Sequence, residues 1–200
     1  MSTNYQLTVK NDSPNFGSIC LYQTVPNQDR NLFSLAWFSK ACHPNTTVRF
    51  SWSIDYSFCW SESGILAPGV IFDATEQQEA DPSDPKKNAI GFTKLEGAYR
   101  FVAPKKHPSE GCLGVYLDGN IAHGEAAVGV GMGGQAAFAA TATPNYSMTF
   151  SPHPQYWVVF GTFQEGEVMD LNRCTDSCNI KFPTNVYKKE LILGDDNTWR

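Results

Sequence analysis

The sequence has little charge, and this scarcity excludes several classes of function. Charged residues make up 18% of its 200 residues, below the roughly 25% usual for soluble domains. The formal net charge of -5 gives no long-range attraction to polyanions, so nucleic acid is not expected as a partner. No apolar run approaches the roughly 20 residues that a membrane helix needs, so we also expect no membrane span.

Cysteine is scarce as well, and a targeting segment is not visible. Six cysteines are too few for a disulfide scaffold in a chain of this length. The opening residues MSTNYQ lack the basic and apolar regions of a secretory signal. We therefore expect a cytoplasmic protein with mostly reduced thiols, and export without a cleaved signal is the alternative.

Motifs for metal binding and nucleophilic catalysis are missing. The chain contains no HExxH, paired CxxC or EF-hand loop, and no G-x-S-x-G elbow. The run 129–134 does match G-x-G-x-x-G, but no strand–turn–helix pattern surrounds it. We interpret this run as closely packed strands rather than a dinucleotide site. The sequence therefore predicts no metal and no cofactor.

What the sequence does contain is alternation of apolar and polar residues with a period of two. The clearest case is the run 48–56, where strict alternation is typical of a strand with one buried face. Its apolar face is predicted to carry Val48, Phe50, Trp52, Ile54 and Tyr56. The pattern continues to Trp60, which is longer than a usual strand, so we expect a bulge or bend near Tyr56.

Many such short segments, separated by Gly, Pro and Asn turns, predict an all-β fold. The expected architecture is an antiparallel β-sandwich, or a flattened barrel, in a single domain over residues 1–200. Residues 5–9 and 19–22 are interpreted as the two strands of a hairpin with a long loop.

Two stretches depart from the period of two. Residues 32–40 favour one short helix, because Leu32, Leu35 and Phe38 would share a helical face. Residues 75–88 are polar and contain two prolines, so we predict a flexible loop there.

Aromatic residues form 13% of the chain and carry the main functional signal. Their simplest interpretation is core packing, since aromatic side chains dominate core energetics. The functional interpretation is an apolar pocket between or inside the sheets, with a few polar groups that fix a ligand. The candidate ligand-binding residues are Trp60, Glu62, His153, Tyr156 and Trp157.

Three titratable residues are candidates for proton transfer. His123 and Glu125 are two positions apart, which places both on one face of a predicted strand. The simpler and favoured interpretation is an exposed pair at the end of a strand. His153, in the proline-flanked stretch 151–157, is the third candidate.

Several strings of residues resemble one family across nearly the whole chain. They are LTVKNDS (7–13), ICLYQT (19–24), SLAWF (34–38), FSWSIDYSF (50–58), WSESG (60–64), PGV (68–70), SPHPQYW (151–157) and DNTW (196–199). These strings are similar to those of the RhiA-like rhizosphere-expressed proteins. The resemblance is weaker over residues 76–120. It implies a soluble, β-rich single domain from a microbe associated with plant roots, and it implies no particular reaction or catalytic residue.

Taken together, these observations favour a non-enzymatic protein that binds a small apolar or aromatic ligand, or a partner. One alternative is a small cofactor-independent enzyme, of cyclase or isomerase type, in which His153 or the pair His123 and Glu125 transfers protons. A secreted toxin or antagonistic factor is the other alternative. The sequence leaves the oligomeric state open.

Overall fold

The computed structural model describes residues 3–26, 29–174 and 176–200, and over these residues the chain is almost entirely β-structure. The strands are β1 (Asn4–Asn11), β2 (Gly17–Thr24), β3 (Leu32–Ser34), β4 (Ala36–Cys42), β5 (Thr47–Ser53), β6 (Tyr56–Ser61), β7 (Glu76–Ala80), β8 (Ala89–Leu95), β9 (Ala98–Lys105), β10 (Leu113–Leu117), β11 (Ala127–Met132), β12 (Gln135–Thr141), β13 (Ser147–Phe150), β14 (Gln155–Gly161), β15 (Cys178–Ile180) and β16 (Lys188–Leu193). The predicted all-β class is confirmed.

The strands form four sheets, most of whose pairings are antiparallel. Sheet 1 has the order β16-β1-β5, and sheet 2 has the order β15-β14-β2-β4. Sheet 3 has the order β3-β12-β11-β6-β7, and sheet 4 has the order β13-β10-β8-β9. Two pairings are parallel, β1 with β16 and β8 with β10. The sheets do not close into a barrel, and their arrangement is that of a sandwich.

Aromatic rings from facing sheets meet in the interior of this sandwich. Trp37 of sheet 2 lies against Trp52 of sheet 1, with ring centroids 5.2 Å apart. Trp60 of sheet 3 meets Phe92 of sheet 4 at 5.5 Å. The main cluster of buried residues draws on all four sheets, so one continuous core joins them.

The long alternating run is divided between two sheets. β5 ends at Ser53 and β6 begins at Tyr56, which confirms the predicted bend. β5 belongs to sheet 1 and β6 to sheet 3. Ile54 lies in the bend with 42% of its surface exposed, so the prediction that it faces the core is wrong.

The helix predicted at 32–40 is wrong, because these residues form β3 and most of β4. Leu32, Ser34, Leu35, Ala36 and Trp37 are all buried. Burial on both faces removes the alternation that identifies a strand, so the remaining apolar spacing resembles that of a helix. In the described part of the chain, the only helical turn is a 3-10 turn at Leu171–Arg173.

Two further local predictions need correction. The strands β1 and β2 do not form a hairpin, since β1 pairs with β5 and β16 while β2 pairs with β4 and β14. The predicted loop at 75–88 contains β7, which pairs with β6 along the edge of sheet 3. The rest of that stretch, 81–88, consists of turns.

The outer face of sheet 3 is built from small residues. Cys59, Ala127, Ala136 and Ala139 are buried there beneath Leu66 and Phe72, which lie on the chain between β6 and β7. The run 129–134 forms the β11–β12 hairpin, as the closely packed interpretation predicts. A Cβ atom at Gly129 would lie 2.3 Å from the carbonyl oxygen of Phe138, so only glycine fits there.

Candidate functional site

A cleft of about 230 Å³ opens at the end of β12, on the side where small residues dominate sheet 3. We call it the amphipathic cleft. It is lined by Asn31, Phe33, Ile65, Leu66, His123, Thr141, Thr143 and Tyr146. At about 30 Å³ per molecule of liquid water, the volume of the cleft corresponds to about eight waters, or to one ring-sized molecule.

Backbone hydrogen bonds fix the walls of this cleft. The amide of Gly124 donates to the carbonyl of Ala142 at 3.0 Å, which ties the turn carrying His123 to the end of β12. The amide of Leu66 donates to the hydroxyl of Thr141 at 2.9 Å, which holds the opposite wall. Ile65 packs directly over Gly124, where a Cβ atom would lie 2.5 Å from its Cγ1.

Polar and apolar groups are both available to a molecule in the cleft. Phe33 and Tyr146 are half-buried, and Leu66 is buried, so together they supply the apolar surface. Nδ1 of His123 lies 3.1 Å from the hydroxyl of Thr143. No described residue bonds to Nε2 of His123, so this nitrogen is free to pair with a ligand.

The electrostatic surroundings disfavour a negatively charged occupant. Burial raises the pKa of the Tyr146 hydroxyl, and the negative charge of nearby Asp29 raises it further. Tyr146 is therefore a neutral phenol near neutral pH, able both to donate and to accept a hydrogen bond. Among the described residues that line the cleft there is no lysine or arginine.

Comparison with known proteins agrees with the resemblance seen in the sequence. The family model described as RhiA matches residues 2–200 of the chain. Protein RhiA of Rhizobium leguminosarum bv. viciae is 35% identical over 203 residues, which cover 98% of this chain and 85% of that protein. The chain belongs to the RhiA family. No solved structure matches it significantly.

In this RhiA-family chain, the predicted pair His123 and Glu125 lies in a turn, so the prediction of a shared strand face is wrong. The φ angle of +75° at Gly124 turns the chain between them. The carboxylate of Glu125 instead accepts hydrogen bonds from Lys94 at 2.9 Å and Tyr99 at 3.0 Å. These bonds lower the pKa of Glu125. The two residues therefore have separate partners, and only His123 lines the cleft.

The predicted ligand-binding residues of β14 point in opposite directions in this RhiA-family structure. The ring of Tyr156 lies inside the sandwich, 5.5 Å from that of Trp52, and burial raises the pKa of Tyr156 to about 12. Trp157 lies on the outer face, where it stacks on Tyr22 and donates its indole N–H to Thr24 at 2.9 Å. His153 is exposed in the connection before β14.

The second predicted group, Trp60 and Glu62, is also divided. Trp60 is buried between sheets 3 and 4, and its indole N–H donates to Glu76 at 2.9 Å. Glu62 is exposed just beyond the end of β6. None of the five predicted ligand-binding residues lines the amphipathic cleft. Their role in binding stays a prediction.

Sequence reasoning missed most of the cleft, because its residues come from separate parts of the chain. Phe33 is on β3, Leu66 is in the loop after β6, and Tyr146 precedes β13. The one local signal is the change from small residues to Thr141 and Thr143 at the end of the alanine-rich run.

The described residues offer neither a metal centre nor a membrane-spanning helix. No group of three or more His, Cys, Asp or Glu side chains is placed to hold a metal ion. No described helix has both the length and the apolar character that crossing a membrane would require.

Proposed function

We propose that this RhiA-family chain is a non-enzymatic binding protein that holds a small, neutral, amphipathic molecule in the amphipathic cleft. The observation that carries the proposal is the combination of apolar walls with hydrogen-bonding groups that still have free capacity. Ligand sites are commonly apolar cavities in which a few polar groups fix the orientation. The cleft has this composition on a small scale.

The proposed ligand is a single ring with one hydroxyl group. Its ring would pack on Phe33, Leu66 and Tyr146, and its hydroxyl would pair with the imidazole of His123. A carboxylate in place of the hydroxyl would be disfavoured, because Asp29 is near and no lysine or arginine lines the cleft.

The enzyme alternative has less support than binding. In the enzyme alternative, His123 and Glu125 act together, which requires both side chains to lie within hydrogen-bond reach of one substrate. Glu125 is engaged by Lys94 and Tyr99, and it does not line the cleft with His123. No described feature favours the toxin alternative.

Binding can be tested by NMR titration of labelled protein with benzyl alcohol, toluene and benzoate. We expect benzyl alcohol to bind best and to shift the amide resonances of residues 64–66 and 141–146. Phe33→Ala and Tyr146→Ala should each weaken this binding at least about tenfold, since a lost ring contact is worth roughly 1.4 kcal/mol or more.

A matched control is Phe16→Ala, which removes a ring that is 62% exposed and does not line the cleft. This variant should bind benzyl alcohol as the parent protein does. The proposal would be wrong if all three variants lost the same affinity for benzyl alcohol. It would also be wrong if the amide shift changes were scattered over the surface of the protein. Native mass spectrometry of protein from the source organism would add a second check by revealing a co-purifying small molecule.

A further inference from the structure

A second opening lies beside β7 and is larger and more polar than the amphipathic cleft. It consists of two neighbouring clefts of about 510 Å³ and 260 Å³ that are both lined by Gln77 and Gly134. We call it the polar groove. It has no residue in common with the amphipathic cleft, so binding in the polar groove is independent of the function proposed for that cleft.

Carboxamide side chains from three separate elements line the larger half of the polar groove. Gln77 is on β7, Gln135 begins β12, and Gln164 lies in the loop after β14. No described residue bonds to the side-chain amides of Gln135 and Gln164, and Gln77 has only a long contact of 3.4 Å with Ser57. Each amide therefore offers both a donor and an acceptor to a ligand.

The charged groups that line the polar groove all have one sign. Asp73 and Glu165 line the larger half, and Asp55 and Glu79 line the smaller half. Neither half is lined by lysine or arginine, and Lys87 reaches Glu79 from outside the groove at 2.9 Å. The carboxylates would repel a phosphate, a nucleic acid or an acidic sugar, and no described cation in the lining would offset that repulsion.

Two residues at the smaller half differ in what they offer a ligand. Tyr56 borders this half, but its ring packs against Phe150 and the buried core. Gly134, at the junction of the two halves, has a φ of +84° and open space where a Cβ atom would stand. No side chain at this position therefore stands between the two halves.

We propose that the polar groove binds an uncharged oligosaccharide. Neighbouring hydroxyl groups on a sugar ring match the paired donor and acceptor atoms of a carboxamide, and carboxylates accept from further hydroxyls. The larger half alone, at about 510 Å³, lies within the roughly 300–1,000 Å³ of common ligand sites.

Isothermal titration calorimetry with four tetrasaccharides tests this proposal: maltotetraose, cellotetraose, the glucosamine tetramer and tetragalacturonate. We expect at least one of the two uncharged sugars to bind and tetragalacturonate not to bind. Gln135→Ala and Gln164→Ala should each weaken the uncharged sugar about 3- to 10-fold, the usual effect of one lost hydrogen bond. Gln155→Ala is the matched control, since Gln155 is an exposed glutamine on β14 outside the groove.

Three results would overturn the proposal. The first is that neither uncharged tetrasaccharide binds to the folded parent protein. In the second, only the glucosamine tetramer binds and its affinity collapses with added salt, which would make the groove a site for cations. The third is equal weakening by Gln155→Ala and the groove variants. The Phe33→Ala variant should leave sugar binding unchanged, so failure at one site is distinguishable from failure at the other.

Discussion

The interior of the sandwich and the outer face of sheet 3 are filled in opposite ways. Inside, rings such as Trp37, Trp52 and Tyr156 lie with centroids 5.2 to 5.9 Å apart and leave no room for a ligand between them. Outside sheet 3, small residues allow covering loops to approach the sheet closely, and both the amphipathic cleft and the polar groove lie around these loops. Aromatic residues are therefore concentrated where the molecule is closed.

This contrast shows that a high content of aromatic residues is weak evidence for a ligand-binding pocket. Aromatic side chains bury large areas and are used first to build a core. The amphipathic cleft uses only two, Phe33 and Tyr146, and both are half-buried. Phe33 packs on the outer-face cluster of sheet 3, whereas Tyr146 packs at the edge of the main core. Three substitutions test the contrast, from the largest expected effect to the smallest.

Replacing Trp37 should have the largest effect on stability. Trp37 is 1% exposed, and its indole N–H donates to the carbonyl of Met132 at 2.8 Å. Trp37→Ala should lower the free energy of unfolding by about 3–5 kcal/mol, measured by urea denaturation. Trp37→Phe keeps an aromatic ring, so its free energy of unfolding should fall by less than that of Trp37→Ala. The contrast would be contradicted if Trp37→Ala lowered the free energy of unfolding by no more than Phe33→Ala does at the cleft.

Adding one methyl group under the covering loops should have an intermediate effect. Gly129→Ala would place a Cβ atom 2.3 Å from the carbonyl oxygen of Phe138, so β11 and β12 must separate. We expect a loss of about 1–3 kcal/mol in the free energy of unfolding. Gly119→Ala is the control, because the nearest atom to its Cβ would be 3.4 Å away. Similar denaturation midpoints for both variants would show that the outer face is not tightly packed.

The smallest effect is expected from the exposed pair of Lys94 and Glu125. The pKa of Glu125 is lowered chiefly because Lys94 and Tyr99 bond to its charged form. A carboxyl group with a lowered folded-state pKa stabilises the fold above its unfolded-state pKa, and this contribution disappears as the pH falls through the folded-state value. The melting temperature of the parent protein should fall as the pH is lowered from about 5 to 3. In Glu125→Gln this fall should be smaller, because the variant has no carboxylate to protonate at this position.

The matched control for this pH series is Glu110→Gln, at an exposed glutamate outside any described ion pair. Its melting temperature should follow the parent protein at every pH. Because Glu125 is exposed, the difference should be small, and raising the salt concentration should shrink it. A difference that persists in high salt would mean that Glu125 acts by packing rather than by charge.

Period-two alternation predicted the strands that have one face to the core. In β5, Phe50 and Trp52 are buried while Arg49 and Ser51 are exposed, as the pattern requires. The same reasoning failed for 32–40, where both faces of the chain are buried. Local patterns record contact with solvent, so they lose information wherever solvent is excluded from both sides.

Contacts between distant segments account for what could not be predicted. His123 was singled out because of Glu125, yet its partner in the structure is Thr143. No sequence pattern indicates the polar groove. Its glutamines, Gln77, Gln135 and Gln164, are far apart in the sequence, and only the fold brings them together. Sequence spacing alone carries no information about such assemblies.

The parallel pairing of β1 with β16 has a consequence for folding during synthesis. Gln6 pairs with Lys188, so the first strand gains this neighbour only when the last strand has been made. At roughly 5–20 residues per second, ribosomal synthesis leaves that side of β1 unpaired for about ten seconds or more. An unpaired strand edge is a template for other chains. During this period one edge of β1 in the nascent polypeptide is open to misassembly, and the arrival of β16 closes it.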